Sequence, residues 1–85
     1  MQIELKYFAS LRETVGLAHE SVTLPAAVGT LAQLRQWLRQ RGPTWQAALG
    51  DARPLRMALD QQMAGPEARL SEGCEVAFFP PVTGG

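Results

Sequence analysis

The feature that most constrains the fold of this 85-residue chain is one main amphipathic segment with alternating segments on both sides of it. Apolar side chains in the segment recur at helical spacing and form one stripe. Thr30 and Gln33 make a capping-box pattern at its start, and Gly42-Pro43 closes it. The stripe of this helix must cover one face of a sheet. It consists of Leu31, Leu34, Trp37 and Leu38.

Two alternating segments precede the main helix. Residues 2–8 alternate cleanly, which predicts a half-buried strand. Its inward residues are Ile3, Leu5 and Tyr7, and its outward residues are Gln2, Glu4, Lys6 and Phe8. Residues 19–24 alternate again, so the two strands are expected to form an antiparallel pair. A short helix is predicted between them, from a capping box at Ser10 to a stop at Gly16.

The segments after the main helix complete the sheet. Residues 54–59 predict a third strand, residues 61–63 a brief edge strand, and residues 74–79 the last strand. A short helical turn is expected at residues 44–49. This order is typical of the β-grasp arrangement, an α+β fold in which one main helix covers a mixed sheet. The first and last strands would then pair in parallel at the centre of the sheet.

Composition narrows the classes of function. Eight acidic and eight basic side chains balance, which argues against a nucleic-acid or membrane-surface binder. A single cysteine excludes an intramolecular disulfide. No signal-like segment precedes the first strand, and no apolar run approaches the roughly 20 residues that span a membrane. A cytoplasmic location is therefore expected.

The chain lacks the parts of a self-sufficient enzyme. One histidine and one cysteine cannot build a zinc site, and no glycine-rich phosphate loop follows a strand. His19 lies at a strand start among polar residues and is expected on the surface, because catalysis would require a second titratable partner. Cys74 shares the parity of Val76 and Phe78, which predicts a buried, structural thiol.

The outward residues of the last strand suggest a contact surface. Glu75, Ala77 and Phe79 have outward parity, and Phe8 has the same parity on the first strand. Two aromatic side chains on one exposed sheet face favour a partner interface, because interface cores are rich in aromatic residues. The alternative is that residues 44–49 or another loop cover them.

The end of the chain has the properties of a tethered carboxylate. Pro80-Pro81 holds the backbone extended after an apolar strand, and Gly84-Gly85 presents the slimmest possible backbone. Fully extended, residues 80–85 would reach roughly 20 Å. Such a tail can enter a narrow slot in another protein. The chain is therefore divided into a β-grasp domain at 1–79 and an extended tail at 80–85.

Several segments carry a resemblance to a known family. They are residues 75–85, Tyr7-Phe8-Ala9, Arg12-Glu13, Gly16 and residues 70–73. Together they resemble the small, sulfur-carrying subunits of molybdopterin synthase, which have a ubiquitin-like fold. A terminal Gly-Gly alone would be a weak signal, whereas the Phe-Phe-Pro-Pro-Val-Thr-Gly-Gly run is highly specific.

The resemblance implies a mechanism. An E1-like adenylating enzyme would use ATP to activate Gly85, and a sulfurtransferase system would convert it to a thiocarboxylate. Within the large subunit, the sulfur would pass to cyclic pyranopterin monophosphate. The large subunit would supply the catalytic side chains, and this chain would bind no cofactor. The resemblance implies tail insertion by Pro80, Pro81, Val82, Thr83 and Gly84, and partner binding by Phe8, Met63 and Phe79.

Three other functions fit the same terminus. The chain could carry sulfur for thiamin thiazole or another thiolated product. It could be a ubiquitin-like modifier that is conjugated to lysines. It could also be an interaction module with an inert tail.

Overall fold

In a computed structural model that describes residues 1–52 and 54–81, five strands form one sheet and three helices accompany it. The strands are β1 (Gln2–Tyr7), β2 (His19–Thr23), β3 (Arg56–Leu59), β4 (Gln62–Met63) and β5 (Glu75–Phe79). The helices are α1 (Ala9–Val15), α2 (Leu31–Arg39) and α3 (Pro43–Leu49). Each predicted strand and helix is present, with bounds that differ by one or two residues.

The sheet has the strand order β2-β1-β5-β3-β4. β1 and β5 pair in parallel at its centre, and the other neighbours pair antiparallel. This mixed sheet is the ubiquitin-like β-grasp arrangement that the order of elements predicts. Because β5 is central, Pro80 and Pro81 follow it at the middle of the sheet rather than at an edge.

The core lies between one face of the sheet and the helices. The inward residues of β1 are buried, and Val76 and Phe78 of β5 join them. Three residues of the α2 stripe are fully buried, whereas Trp37 is only partly buried. The predicted capping box of α2 is confirmed, because Gln33 N donates to Thr30 Oγ1 over 3.2 Å and Thr30 N donates to Gln33 Oε1 over 3.1 Å.

The predicted capping box of α1 is wrong. The helix begins at Ala9, and Ser10 lies inside it with its carbonyl accepting a hydrogen bond from Thr14 Oγ1. Phe8 is the N-cap residue because its N–H donates to the Phe78 carbonyl, which keeps the backbone in the sheet until that point. The predicted stop at Gly16 is confirmed by its left-handed backbone, with φ of 78°.

A polar network closes the core near the ends of β1, β2 and α2. Tyr7 Oη donates to Glu20 Oε2 over 2.8 Å, and Arg41 Nη1 donates to the same oxygen over 2.8 Å. The Arg41 guanidinium also lies over the rings of Trp37 and Trp45, 5.5 and 4.7 Å from their centroids. The network therefore joins two strands to the ends of two helices.

The β3–β4 hairpin turns through Asp60 and Gln61, which have φ of 49° and 70°. Two central residues with positive φ are characteristic of a type I′ turn. Asp60 N donates to the Glu75 carbonyl over 2.8 Å, and Asp60 Oδ1 accepts from Glu75 N over 3.0 Å. The turn is thereby attached to the start of β5.

Candidate docking face and tail exit

The face of the sheet opposite the core is here called the outer face. On β1, β5 and β3, its residues alternate with those that point into the core. On β4, it includes the residue that pairs with the outer-face residue Ala58 of β3. They include Lys6, Phe8, Ala77, Phe79, Arg56, Ala58 and Met63. This parity confirms the sequence prediction for Phe8 and for the outward residues of β5.

Two aromatic rings lie on the outer face of the central strands, at the end where β5 finishes. The rings of Phe8 and Phe79 pack edge to face, with centroids 6.4 Å apart and planes at 84°. Phe8 remains 46% exposed. The alternative in which residues 44–49 cover these rings is wrong, because Trp45 of that segment packs on Tyr7 at the core face, with centroids 5.6 Å apart.

Met63 extends the apolar surface to the far edge of the sheet. Its register partner is Ala58, which in turn pairs with Ala77. Both alanines are nearly buried, whereas the Met63 side chain is 58% exposed. The structure therefore brings the three predicted partner-binding residues, Phe8, Met63 and Phe79, onto one face.

Two cationic side chains rise from this apolar surface. Lys6 Nζ lies 3.2 Å from Glu75 Oε1, on the neighbouring strand. Arg56 is the register partner of Phe79 on β3 and is exposed. No local sequence pattern marks either residue as functional. The signal that could have found Arg56 is the pairing of β3 with β5, which places it beside the predicted aromatic patch.

The first two residues of the tail lie at this same end of the sheet. Pro80 and Pro81 directly follow β5 and are half-buried. Pro81 lines a shallow depression of about 340 Å³ together with Arg56 and Met63. The other predicted tail residues, Val82, Thr83, Gly84 and Gly85, lie outside the residues that the structure describes.

Cys74 lies far from the tail exit. Its side chain is 3% exposed and belongs to the core, which confirms the predicted burial. It precedes the first residue of β5, whereas the tail follows the last, so the five-residue strand separates them by roughly 17 Å. His19 is exposed on the edge strand β2, as predicted.

Comparison with known proteins identifies the family. The sequence model of the ThiS family matches residues 5–85. The chain belongs to the ThiS family. It is 39% identical to the molybdopterin synthase sulfur carrier subunit of Escherichia coli (strain K12) over 83 residues, covering 98% of this chain and 99% of the relative. The subunit of the same name from Haemophilus influenzae is 35% identical with the same coverage. The resemblance drawn from the sequence is confirmed.

Solved structures share the fold of this chain. SAMP1 from Haloferax volcanii superposes with a TM-score of 0.80 at 26% identity, over 100% of both chains. A complex of subunits 1 and 2 of the molybdopterin-converting factor from Helicobacter pylori 26695 contains a chain with a TM-score of 0.68, at 23% identity over 100% of both chains. Among the described residues, the helices are too short to cross a membrane.

Proposed function

We propose that this ThiS-family chain is the sulfur carrier of molybdopterin synthase, with a thiocarboxylate at Gly85 as the sulfur donor. The observation that carries the proposal is the position at which the tail begins. The central strand β5 ends at the aromatic pair of the outer face and continues directly into Pro80 and Pro81. A partner that docks on Phe8 and Phe79 would therefore be in place to receive the residues that follow.

The chemistry begins with activation of the tail by a separate enzyme. A carboxylate is a poor electrophile at neutral pH. Attack of a Gly85 carboxylate oxygen on the α-phosphorus of ATP would release pyrophosphate and form an acyl adenylate. A sulfur nucleophile from the sulfurtransferase system would then displace AMP, and the carbonyl carbon would end as a thiocarboxylate. ATP is used by the activating enzyme, and this chain supplies the acyl group.

The charged tail would then deliver its sulfur inside the large subunit. Residues 80–85 could reach roughly 20 Å when extended, which separates the reacting atom from the folded domain. Glycine at positions 84 and 85 leaves no side chain to block a narrow channel. Tethering raises the effective concentration of the donor at the bound cyclic pyranopterin monophosphate. After the sulfur has bonded to the substrate, water would attack the Gly85 carbonyl carbon and break its C–S bond, which leaves the sulfur on the substrate and returns Gly85 to a carboxylate.

Two sets of relatives support this assignment. The curated relatives that match nearly the whole chain are named as molybdopterin synthase sulfur carrier subunits. The Helicobacter pylori structure is a complex of the two subunits of the converting factor, which supports a large subunit as the partner. The E1-like enzyme and the sulfurtransferase system are proposed from the chemistry that the tail requires.

Intact mass spectrometry tests the proposal. The chain is incubated with ATP, an E1-like activating enzyme and a sulfur source, and then mixed with the large subunit and cyclic pyranopterin monophosphate. The expected result is exchange of one oxygen for one sulfur on the chain, followed by loss of that sulfur and formation of molybdopterin. A variant lacking Gly85 should remain folded by circular dichroism and give neither product. Turnover by that variant would contradict the carrier assignment.

A second function, protein modification, is favoured by one observation. SAMP1 from Haloferax volcanii shares 26% identity with this chain over its whole length. Another Haloferax volcanii structure of this fold is named small archaeal modifier protein 1. High-mass adducts in the same mass spectra would indicate conjugation to amines. A thiocarboxylate that forms but does not yield molybdopterin would instead indicate a carrier for thiamin thiazole or another thiolated product.

A further inference from the structure

The two cationic side chains of the outer face, Lys6 and Arg56, differ in whether they have a charged partner. The Lys6 ammonium has the Glu75 carboxylate 3.2 Å away, so its charge is already balanced by a neighbouring strand. Arg56 forms no ion pair and no side-chain hydrogen bond with any residue that the structure describes. Three other described arginines, Arg35, Arg39 and Arg41, each contact a carboxylate. Arg12 in α1 and Arg69 form no ion pair with the residues that the structure describes. What distinguishes Arg56 is its place: it has no charged partner among the described residues and lies on the apolar outer face, beside Phe79.

Arg56 lies beside the point where the tail begins. It pairs in register with Phe79, the last residue of β5, and shares the depression lined by Met63 and Pro81. A protein that docks on Phe79 and holds the tail from Pro80 onward would cover this corner of the outer face. The guanidinium would then be covered in part at the edge of the apolar contact and would lose some of its contact with water.

We propose that Arg56 is a specificity-determining residue, and that the large subunit presents a carboxylate to its guanidinium beside the tail entrance. The inference rests on the proposed function, because the large subunit is the partner that it names. Covering a guanidinium without acceptors is unfavourable, since its five N–H donors would lose their hydrogen bonds to water. A carboxylate is the group that matches the planar donor fork of arginine in a bidentate geometry.

Such a pair selects partners as well as stabilising the complex. A protein with the same apolar patch but a basic or uncharged group at this corner would bind less tightly, because a repulsive or unsatisfied contact would replace the ion pair. The pair would also add a salt-sensitive component to the association rate. Phe8, Phe79 and Met63 provide apolar contact, and Arg56 fixes which apolar surface is accepted.

Binding titrations with the isolated large subunit of molybdopterin synthase test the inference. The full chain is compared with Arg56→Gln, Arg56→Glu and the control Arg69→Glu, at low and moderate NaCl. Arg69 is also an exposed arginine, but it lies outside the outer face. Its backbone bridges to Thr30, the N-cap residue of α2. Urea melts of each variant establish that the free domain remains folded.

The charge-reversed variant is expected to bind about 10-fold more weakly or worse, mainly through a slower association rate, with Arg56→Gln in between. The salt dependence of the affinity should be smaller in both Arg56 variants. Arg69→Glu should remain within about twofold of the unmodified chain, because Arg69 bridges to Thr30 at the start of α2 and is not one of the outer-face residues.

Three results would contradict either the role of Arg56 or the proposed function, and each can be told from the others. If both Arg56 variants match the unmodified chain in affinity and in salt dependence, while Phe79→Ala weakens binding, the role of Arg56 is wrong and the proposed function stands. If Arg69→Glu weakens binding as much as Arg56→Glu does, the effect is one of net charge, and the paired carboxylate is wrong. If the unmodified chain shows no affinity for the large subunit, the proposed function fails and the inference fails with it.

Discussion

The Tyr7 hydroxyl donates a 2.8 Å hydrogen bond to Glu20 Oε2 across the paired strands β1 and β2. Burial of the phenol, and then the neighbouring Glu20 carboxylate, hold the pKa of Tyr7 far above its ordinary value near 10. Arg41 bonds the same carboxylate and acts in the opposite direction, but it does not reverse the shift. The native state therefore favours the neutral phenol strongly.

This relationship predicts a loss of stability at alkaline pH. Because the folded pKa is raised, the contribution of Tyr7 is fully present below about pH 10 and declines as the pH rises above it. Above about pH 10, the free energy of unfolding should fall by up to about 1.4 kcal/mol per pH unit, which is the limit for one titrating group. Urea melts of the native chain and of Tyr7→Phe across pH 8–11 check this. The two proteins have all other titratable groups in common, so a difference in their pH dependence is due to the Tyr7 hydroxyl. Parallel pH dependence in the two proteins would contradict the prediction.

The β3–β4 turn predicts a stabilising substitution. Gln61 has φ of 70°, a left-handed conformation that costs a residue with a Cβ roughly 1 kcal/mol. Gln61→Gly should therefore raise the free energy of unfolding by about 0.5–1 kcal/mol. Asp60→Gly is the matched control: it has the same sign of φ, but it loses the hydrogen bond that Asp60 Oδ1 accepts from Glu75 N and should not stabilise. Thermal melts of both variants measure the difference.

Local patterns predicted the parity of the sheet because burial in a strand has a period of two residues. The alternation of residues 2–8 and 74–79 placed Ile3 and Phe78 in the core and Phe8 and Phe79 outside it, and the structure agrees. The start of α1 could not be obtained in this way. A backbone hydrogen bond from Phe8 to Phe78, distant in sequence, overrides the capping pattern at Ser10.

Side-chain contacts between distant elements were also beyond the sequence. Arg41 contacts Glu20, 21 residues away, and also the rings of Trp37 and Trp45, and no periodic pattern connects these positions. Arg56 likewise reaches the candidate site only through the register of β3 on β5. Helical and strand periodicities specify which side of an element is buried, whereas register and neighbours depend on the assembled sheet.

The burial of Cys74 predicts that its thiol has no part in sulfur transfer. Its side chain belongs to the core at the end of β5 opposite to Pro80. Cys74→Ala should therefore charge and transfer sulfur as the native chain does, at a stability cost of about 1–2 kcal/mol. Cys74→Ser should cost up to about 3 kcal/mol if its hydroxyl is left unpaired. Loss of molybdopterin formation in a fully folded Cys74→Ala protein would make the thiol part of the mechanism.

Adjacent phenylalanines in β5 predict opposite consequences of truncation. Phe78 is fully buried and stacks near Tyr7, with centroids 6.0 Å apart, so Phe78→Ala should cost about 3–5 kcal/mol of stability. Phe79 is half-buried on the outer face, where its main aromatic contact is Phe8. Phe79→Ala should therefore reduce stability much less and weaken association with the large subunit by about 2 kcal/mol or more.

Urea melts of the free chain, beside titrations with the large subunit, separate these effects. Phe78→Ala should show a large loss of stability, while its remaining folded fraction keeps near-native affinity for the large subunit. Phe79→Ala should show the reverse, because truncation removes an aromatic anchor from the docking surface and leaves the core filled. If Phe79→Ala unfolds the free domain and its folded fraction binds normally, the outer face is not the docking surface. The contacts that hold the partner would then lie in the tail, beyond Pro81.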